Sequence, residues 1–253
     1  MAKPILVANW KNYPGSLSEA KALLKGLSKD SKLYKRLSLF IAPPAPYFEL
    51  VSARTKNFAK LASQNIGEFL EGAHTGMITP DILKSFGVRL VIIGHSERRV
   101  LGETSAQVAE KARAALRSGI VPLICIGEKT HDADGEHFEF LRAELKASLS
   151  GINAKVAGQL VIAYEPAWVI GKSAKDALMP AELAQSVIFL KKHLADIYGR
   201  RVAEGIPILY GGSVEPANAA ALMKETYVRG FLVGHASLKP RQMEEIALSM
   251  TQK

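Results

Sequence analysis

The chain has one cysteine, Cys125, in 253 residues. That excludes an internal disulfide framework and predicts a reducing compartment. No apolar run approaches the roughly 20 residues that a membrane-spanning helix needs. The opening "MAKPILVANWKN" has one basic residue and a short apolar run that stops at Asn9 and Lys11, with no small-residue cleavage site. No signal peptide is therefore expected, and the cytoplasm is the expected location. No Gly/Ser linker, charge block or low-complexity segment divides the sequence, so a single domain over residues 1–253 is expected. Acidic residues are in deficit: 24 Asp and Glu against 33 Lys and Arg, a formal net charge of +9. Along the sequence the cations are scattered. Their densest groups are "KRL" (35–37), "SERR" (96–99) and "GRRV" (199–202); none is a tail and none alternates with aromatics. This reads as a solvated face plus an anion-binding site, with no nucleic-acid partner and no membrane partner.

Apolar residues make up 48% of the chain, enough for a large core. They follow a rhythm of short β-rich runs and longer helical patterns. Eight strand candidates are "ILVANW" (5–10), "LSLFIA" (37–42), "FAKLASQ" (58–64), "RLVIIG" (89–94), "VPLICIG" (121–127), "LVIAYE" (160–165), "IPILYGG" (206–212) and "GFLVGH" (230–235). Helix signals lie between them. Ser16 with Glu19 and Thr104 with Gln107 have capping-box spacing. Pro180 suits a first helical position, and Gly119 a helix C-terminus. Strand–helix alternation requires parallel strands with right-handed crossovers. Eight units of this length predict an α/β fold, a (β/α)8 TIM barrel, with an open doubly wound sheet as the alternative. A nucleotide-binding version of that alternative needs a glycine-rich loop after the first strand, and "NWKNYPGS" is not one.

Catalytic groups of such barrels sit at the C-terminal ends of the strands. Counting alternate residues, Ile5, Val7, Asn9 and Lys11 share one face, Val91, Ile93 and His95 another, and Val161, Ala163 and Glu165 a third. Three strands thus deliver a lysine, a histidine and a glutamate to one rim. Each has an ordinary reading alone: a lysine reaching for water, a histidine satisfied by a carbonyl, a glutamate capping a loop. Their convergence favours a site. "YGGSVEP" (210–216) and "FLVGHASL" (231–238) place glycine and serine ahead of predicted helices, where backbone N–H groups attract an anion. Cys125, with apolar flanks and no neighbouring histidine, reads as a buried filler.

At these residues the sequence resembles the triosephosphate isomerases along nearly its whole length. The stretches that carry the resemblance are "ANWKN" (8–12), "QN" (64–65), "GAHTG" (72–76), "IGHSERR" (93–99), "CIGE" (125–128), "AYEPAWVIG" (163–171), "YGGSV" (210–214) and "GFLVG" (230–234). The resemblance implies interconversion of dihydroxyacetone phosphate and D-glyceraldehyde 3-phosphate through an enediolate, with no metal or organic cofactor. It implies Glu165 as the base, neutral His95 polarising the oxygens, Lys11 offsetting negative charge, Asn9 positioning Lys11, and Glu97 as a supporting carboxylate. It implies phosphate binding by N–H groups of Gly171, Ser213, Gly234 and His235, and a lid over "AWVIG" anchored by Trp168. It also implies a homodimer in which Thr75 of the "GAHTG" loop reaches toward the partner.

The sequence departs from the pattern in three places. The lid continues Gly171, Lys172, Ser173 where the family has glycine, threonine, glycine. His235 replaces a second glycine, which prompts the expectation of a left-handed backbone there. Met77 replaces a glutamate expected to meet Arg98 across the dimer. The residues leave two other functions open. One is a different phosphate-using barrel enzyme, such as an aldolase with Lys11 as Schiff base. The other is a basic binding protein without turnover.

Overall fold

The computed structural model describes residues 2–68, 72–130, 135–169 and 178–251. All eight predicted strands form, as β1 (Ile5–Asn9), β2 (Ser38–Ala42), β3 (Lys60–Ser63), β4 (Leu90–Ile93), β5 (Val121–Ile126), β6 (Val161–Tyr164), β7 (Ile208–Tyr210) and β8 (Gly230–Val233). They pair in parallel in sequence order. Ile5 stands opposite both Ser38 and Gly230, so β8 closes on β1 in a complete barrel. A principal helix follows each strand: Leu17–Ser28, Phe48–Thr55, Pro80–Ser85, Ser105–Arg117, Glu136–Ser148, Pro180–Tyr198, Pro216–Glu225 and Pro240–Thr251.

The helix signals hold with one correction. Thr104 and Gln107 form a reciprocal capping box, Pro180 is the first residue of its helix, and Gly119 takes φ 71° just past the end of Ser105–Arg117. Ser16 accepts the Glu19 N–H at 3.2 Å, but the Glu19 carboxylate takes the N–H of Gly15, not that of Ser16. The box is open by one residue because the carboxylate reaches past the cap.

Strand alternation divides the core in two. Val7, Phe40, Leu90, Ile92, Val161, Ala163 and Leu232 are among the residues that fill the barrel interior. Leu6, Ala8, Val91, Ile93, Tyr164 and Phe231 face outward and pack beneath the helices. The expected faces of β1 and β6 are therefore the inner ones, and that of β4 is not. Val91 and Ile93 point away from the barrel axis, so strict alternation would carry His95 outward too. Gly94 intervenes with φ 72°, a left-handed conformation that ends the pleat and redirects the chain. A side chain there would also collide with Val108.

The turn at Gly94 is held by a buried carboxylate. Glu103 accepts the Gly94 N–H at 3.1 Å and the Arg98 Nε–H at 3.0 Å, and pairs with the buried ammonium of Lys111. Lys111 also donates to Asn65 Oδ1 at 3.1 Å. Burial pushes the Glu103 pKa up, but the Lys111 hydrogen bond and charge, with those of Arg98, outweigh it and hold the group below the ordinary glutamate value. Glu103→Gln should therefore cost roughly 3 kcal/mol at neutral pH, because it leaves the Lys111 charge buried without its counter-ion. A depressed folded pKa gives stability that is full above the unfolded pKa and lost as pH falls through the folded one. Chemical denaturation of both proteins should show the gap narrowing as pH drops below the ordinary glutamate range. A gap independent of pH would show that Glu103 acts by shape alone.

Candidate active site

The C-terminal ends of the strands surround a cavity of about 630 Å³ lined by Asn9, Lys11, His95, Glu165, Ser213, Gly234 and His235, with the loop after β7 and Lys239 and Gln242 behind them. The lysine, histidine and glutamate predicted from three separate strands thus meet in one place.

Glu165 extends the β6 ladder by one residue, its N–H donating to Ile126 O at 2.8 Å. It is 2% exposed. Two glycines make room for it. A side chain at Gly127 would overlap the Glu165 carbonyl, and one at Gly211 would lie 2.6 Å from Glu165 Cγ. The carboxylate accepts the Ser96 N–H at 3.3 Å and lies 3.4 Å from His95 Nε2. Both contacts are long for hydrogen bonds, so the group is buried yet loosely held. Beneath it sits Cys125, as buried as expected. Burial, followed by the charge of Glu165 and a hydrogen bond to it, pushes this thiol well above its ordinary value.

His95 caps the short helix Ser96–Val100 with its ring. Nδ1 accepts the Glu97 N–H at 3.2 Å. A backbone N–H can only donate, so Nδ1 presents a lone pair and the proton of the neutral ring is on Nε2, facing the cavity and Glu165. Glu97 Oε2 is also 3.7 Å from Nδ1. With Nδ1 already accepting the N–H, that separation is proximity and not an ion pair.

Lys11 lies beyond the end of β1, and its placement does not come from strand alternation. Its φ is 51°, the one positive value on a non-glycine among the described residues. Asn9 Oδ1 accepts the Lys11 N–H at 3.0 Å, and Gln64 Nε2 donates to Lys11 O at 2.6 Å and to Ala42 O at 2.9 Å. Its ammonium meets Glu97 Oε1 at 2.6 Å. Sequence reasoning missed Gln64 as part of the site. The signal was there, a polar amide directly beyond an apolar strand in "LASQN", but its partners lie on β2 and just beyond β1.

At the other side of the cavity, His235–Leu238 forms a 3-10 turn capped by Gly234. Gly234 O accepts the Ser237 N–H at 2.9 Å. The N–H groups of His235 and Ala236 therefore precede the first bonded turn, where helical donors have no intrahelical acceptor. The expectation of a left-handed histidine is corrected: His235 is not among the positive-φ residues. The family's second glycine is thus not required for backbone conformation, and a side chain is accommodated. Ser213 Oγ donates to Val169 O at 3.0 Å. Gly171, Lys172 and Ser173, with the lid segment they belong to, lie outside the described residues. The segment leading to it is fixed: Trp168 Nε1 and Tyr164 Oη both donate to Glu128 Oε1, at 2.8 and 3.0 Å. Trp168 is thus held by a directed bond as well as by bulk.

The remaining predicted residues stand outside the cavity. Thr75 is exposed at the tip of its loop and Met77 is half-buried. Arg98 is engaged with Glu103 of its own chain.

Comparison with known proteins agrees with this geometry. A family model described as triosephosphate isomerase matches residues 4–250. The triosephosphate isomerase of Herpetosiphon aurantiacus is 38% identical over 94% of this chain and 96% of its own. That of Dictyoglomus thermophilum is 36% identical over 98% and 100%, and that of Colwellia psychrerythraea 38% over 96% and 95%. With the closed barrel, the three-strand convergence at its rim and this match along nearly the full length, the chain belongs to the triosephosphate isomerase family.

Proposed function

We propose that Glu165 is the base in this chain's interconversion of dihydroxyacetone phosphate and D-glyceraldehyde 3-phosphate. The observation that carries the assignment is a carboxylate removed from water, yet free to re-aim, beside an imidazole whose Nε2–H faces the same space. Glu165 takes a proton from the carbon next to the carbonyl and returns it to the neighbouring carbon, work that suits a positioned carboxylate in a dry site. His95 donates from Nε2 to the oxygens of the enediolate, where charge develops. Lys11, set by Asn9 and Gln64, exchanges its contact with Glu97 for the negative charge of substrate and intermediate. Gly234, His235 and Ser213 receive the phosphate through backbone N–H groups, with Gly171 completing the set. A Schiff-base role for Lys11 has less support, since its amine is ion-paired and partly exposed, not desolvated.

Glu165→Gln should lower turnover at least about 10²-fold, the usual scale for a positioned base, with an unchanged circular dichroism spectrum. Near-normal turnover in a coupled assay would remove Glu165 from the role. His235→Gly tests the phosphate end. If the backbone serves the phosphate, KM stays close to the wild-type value at about pH 6 and about pH 8; a loss confined to the lower pH would instead reveal an imidazolium contact.

The chain works as a single barrel domain over residues 1–253, as a homodimer, and in the cytoplasm. The single buried cysteine supports the location. The dimer is supported by the exposed loop tip at Thr75 and by two adjacent apolar residues, Val100 and Leu101, each 82% exposed. Surface of that kind is costly to leave in water. Light scattering should give about twice the 27.4 kDa chain mass, and Val100→Asp with Leu101→Asp should move it toward one chain. A fully active monomer would refute the dimer.

A further inference from the structure

The fold gathers onto one face many of the cations that the sequence spreads along the chain. In a parallel barrel every helix ends, and every strand begins, at the same end. The loops joining them form one surface, opposite the cavity. Five of them read "KDSKLYKR" (29–36) before β2, "RTKNFAK" (54–60) into β3, "KSFGVR" (84–89) before β4, "RRVAE" (200–204) before β7 and "KETYVR" (224–229) before β8, and those before β1, β5 and β6 carry Lys3, Arg117 and Lys155. Their acidic residues are Asp30, Glu204 and Glu225, and every lysine and arginine in them is exposed. Backbone bonds tie the loops to neighbouring strand starts: Ile5 N–H to Arg229 O at 2.9 Å, Ser38 N–H to Pro4 O at 2.8 Å, Val121 N–H to Arg89 O at 3.0 Å.

Part of this charge has a local reason, since cations near helix C-termini offset the macrodipole. That does not account for Lys3, Lys60, Arg89 and Arg229, which stand just before a strand or open one. Nor is the charge cancelled by these side chains' contacts. Lys3 donates to Lys35 O, Arg36 to Thr251 O and Arg229 to Ala2 O, at 2.6, 2.9 and 2.9 Å. Carbonyls satisfy donors without removing charge. Arg200 has a carboxylate partner, Glu204 at 2.7 Å.

We infer, against the expectation of no membrane partner drawn from scattered cations, that this face is an electrostatic docking surface for an anionic lipid bilayer. The cations form a ring, not a stripe. A planar array of headgroups meets a ring at once, whereas a nucleic-acid strand crosses it along a line. Nucleic-acid readers also use stacked aromatics or an element long enough to lie in a groove, and this face offers turns and two short helices, Ser31–Tyr34 and Arg200–Gly205. Tyr227, 65% exposed between Lys224 and Arg229, suits the interfacial level of a bilayer. The contact is adsorption, not insertion: among the described residues no helix is long and apolar enough to cross a membrane. Because the cavity opens at the far end of the barrel, docked enzyme keeps its site facing solution.

Sedimentation with phosphatidylserine–phosphatidylcholine vesicles, against pure phosphatidylcholine, tests this at low ionic strength. Wild type should pellet with the anionic vesicles only, be released by salt, and keep its KM and kcat while bound. The triple variant Lys32→Glu, Lys56→Glu, Lys224→Glu should bind at least about tenfold more weakly, each basic residue near such a surface contributing appreciably, with normal activity in solution. A control with the same charge change elsewhere, Lys21→Glu, Arg142→Glu, Arg241→Glu, should bind more tightly than that variant. Absence of wild-type binding, or equal loss in both triples, overturns the inference. So does retention by a DNA oligonucleotide at salt that releases the vesicles, which would make nucleic acid the partner.

Discussion

Everything at the rim of this barrel depends on keeping one carboxylate out of water without tying it down. A fully buried carboxylate is costly unless its oxygens are satisfied, yet one that is satisfied too well makes a poor base. Glu165 sits between these limits, with a backbone N–H at 3.3 Å and an imidazole nitrogen at 3.4 Å. Gly127 and Gly211 give it volume that any side chain would occupy. The strands on either side supply rigidity, so that a loosely bonded group is still well placed.

Fixing the histidine is a separate problem with a different solution. The ring orientation follows from the Glu97 N–H, which exists as a donor because a helix begins there and its first N–H groups lack partners. The helix begins there because Gly94 turns the chain, and Gly94 is held by Glu103. A buried ion pair some distance from the chemistry thus sets which ring nitrogen faces the cavity. The influence passes through adjacent hydrogen bonds, each with named atoms.

Much of this was legible in the sequence, and each exception has a physical cause. The eight strands, the barrel and the inward faces of β1 and β6 follow from hydrophobic periodicity, which is local. The β4 face was misassigned because one left-handed glycine reverses an alternation count, and nothing in "IIGHS" announces the sign of φ. Gln64 was missed because its partners, Lys11 and Ala42, are distant in sequence. His235 was read through a strained backbone that the 3-10 turn makes unnecessary. The basic face was invisible for the same reason as Gln64. Scattered cations become a ring only when parallel topology brings every strand start to one end.

The conformation of Lys11 shows what the site asks of the rest of the chain. A left-handed backbone on a residue with a side chain costs on the order of 1 kcal/mol or more, and it persists only where its surroundings enforce it. Three groups hold the residue as a whole: the Asn9 amide on the N–H, the Gln64 amide on the carbonyl, and Glu97 on the ammonium. The first two are structural, because at Lys11 they bond the backbone and not the ammonium. The third is a partner that substrate can displace, since an exposed ion pair is worth little in water. The strain is therefore held by contacts that remain when substrate arrives, and the charge by a contact that does not. That division lets a lysine beyond the end of a strand keep its place while its ammonium changes partners.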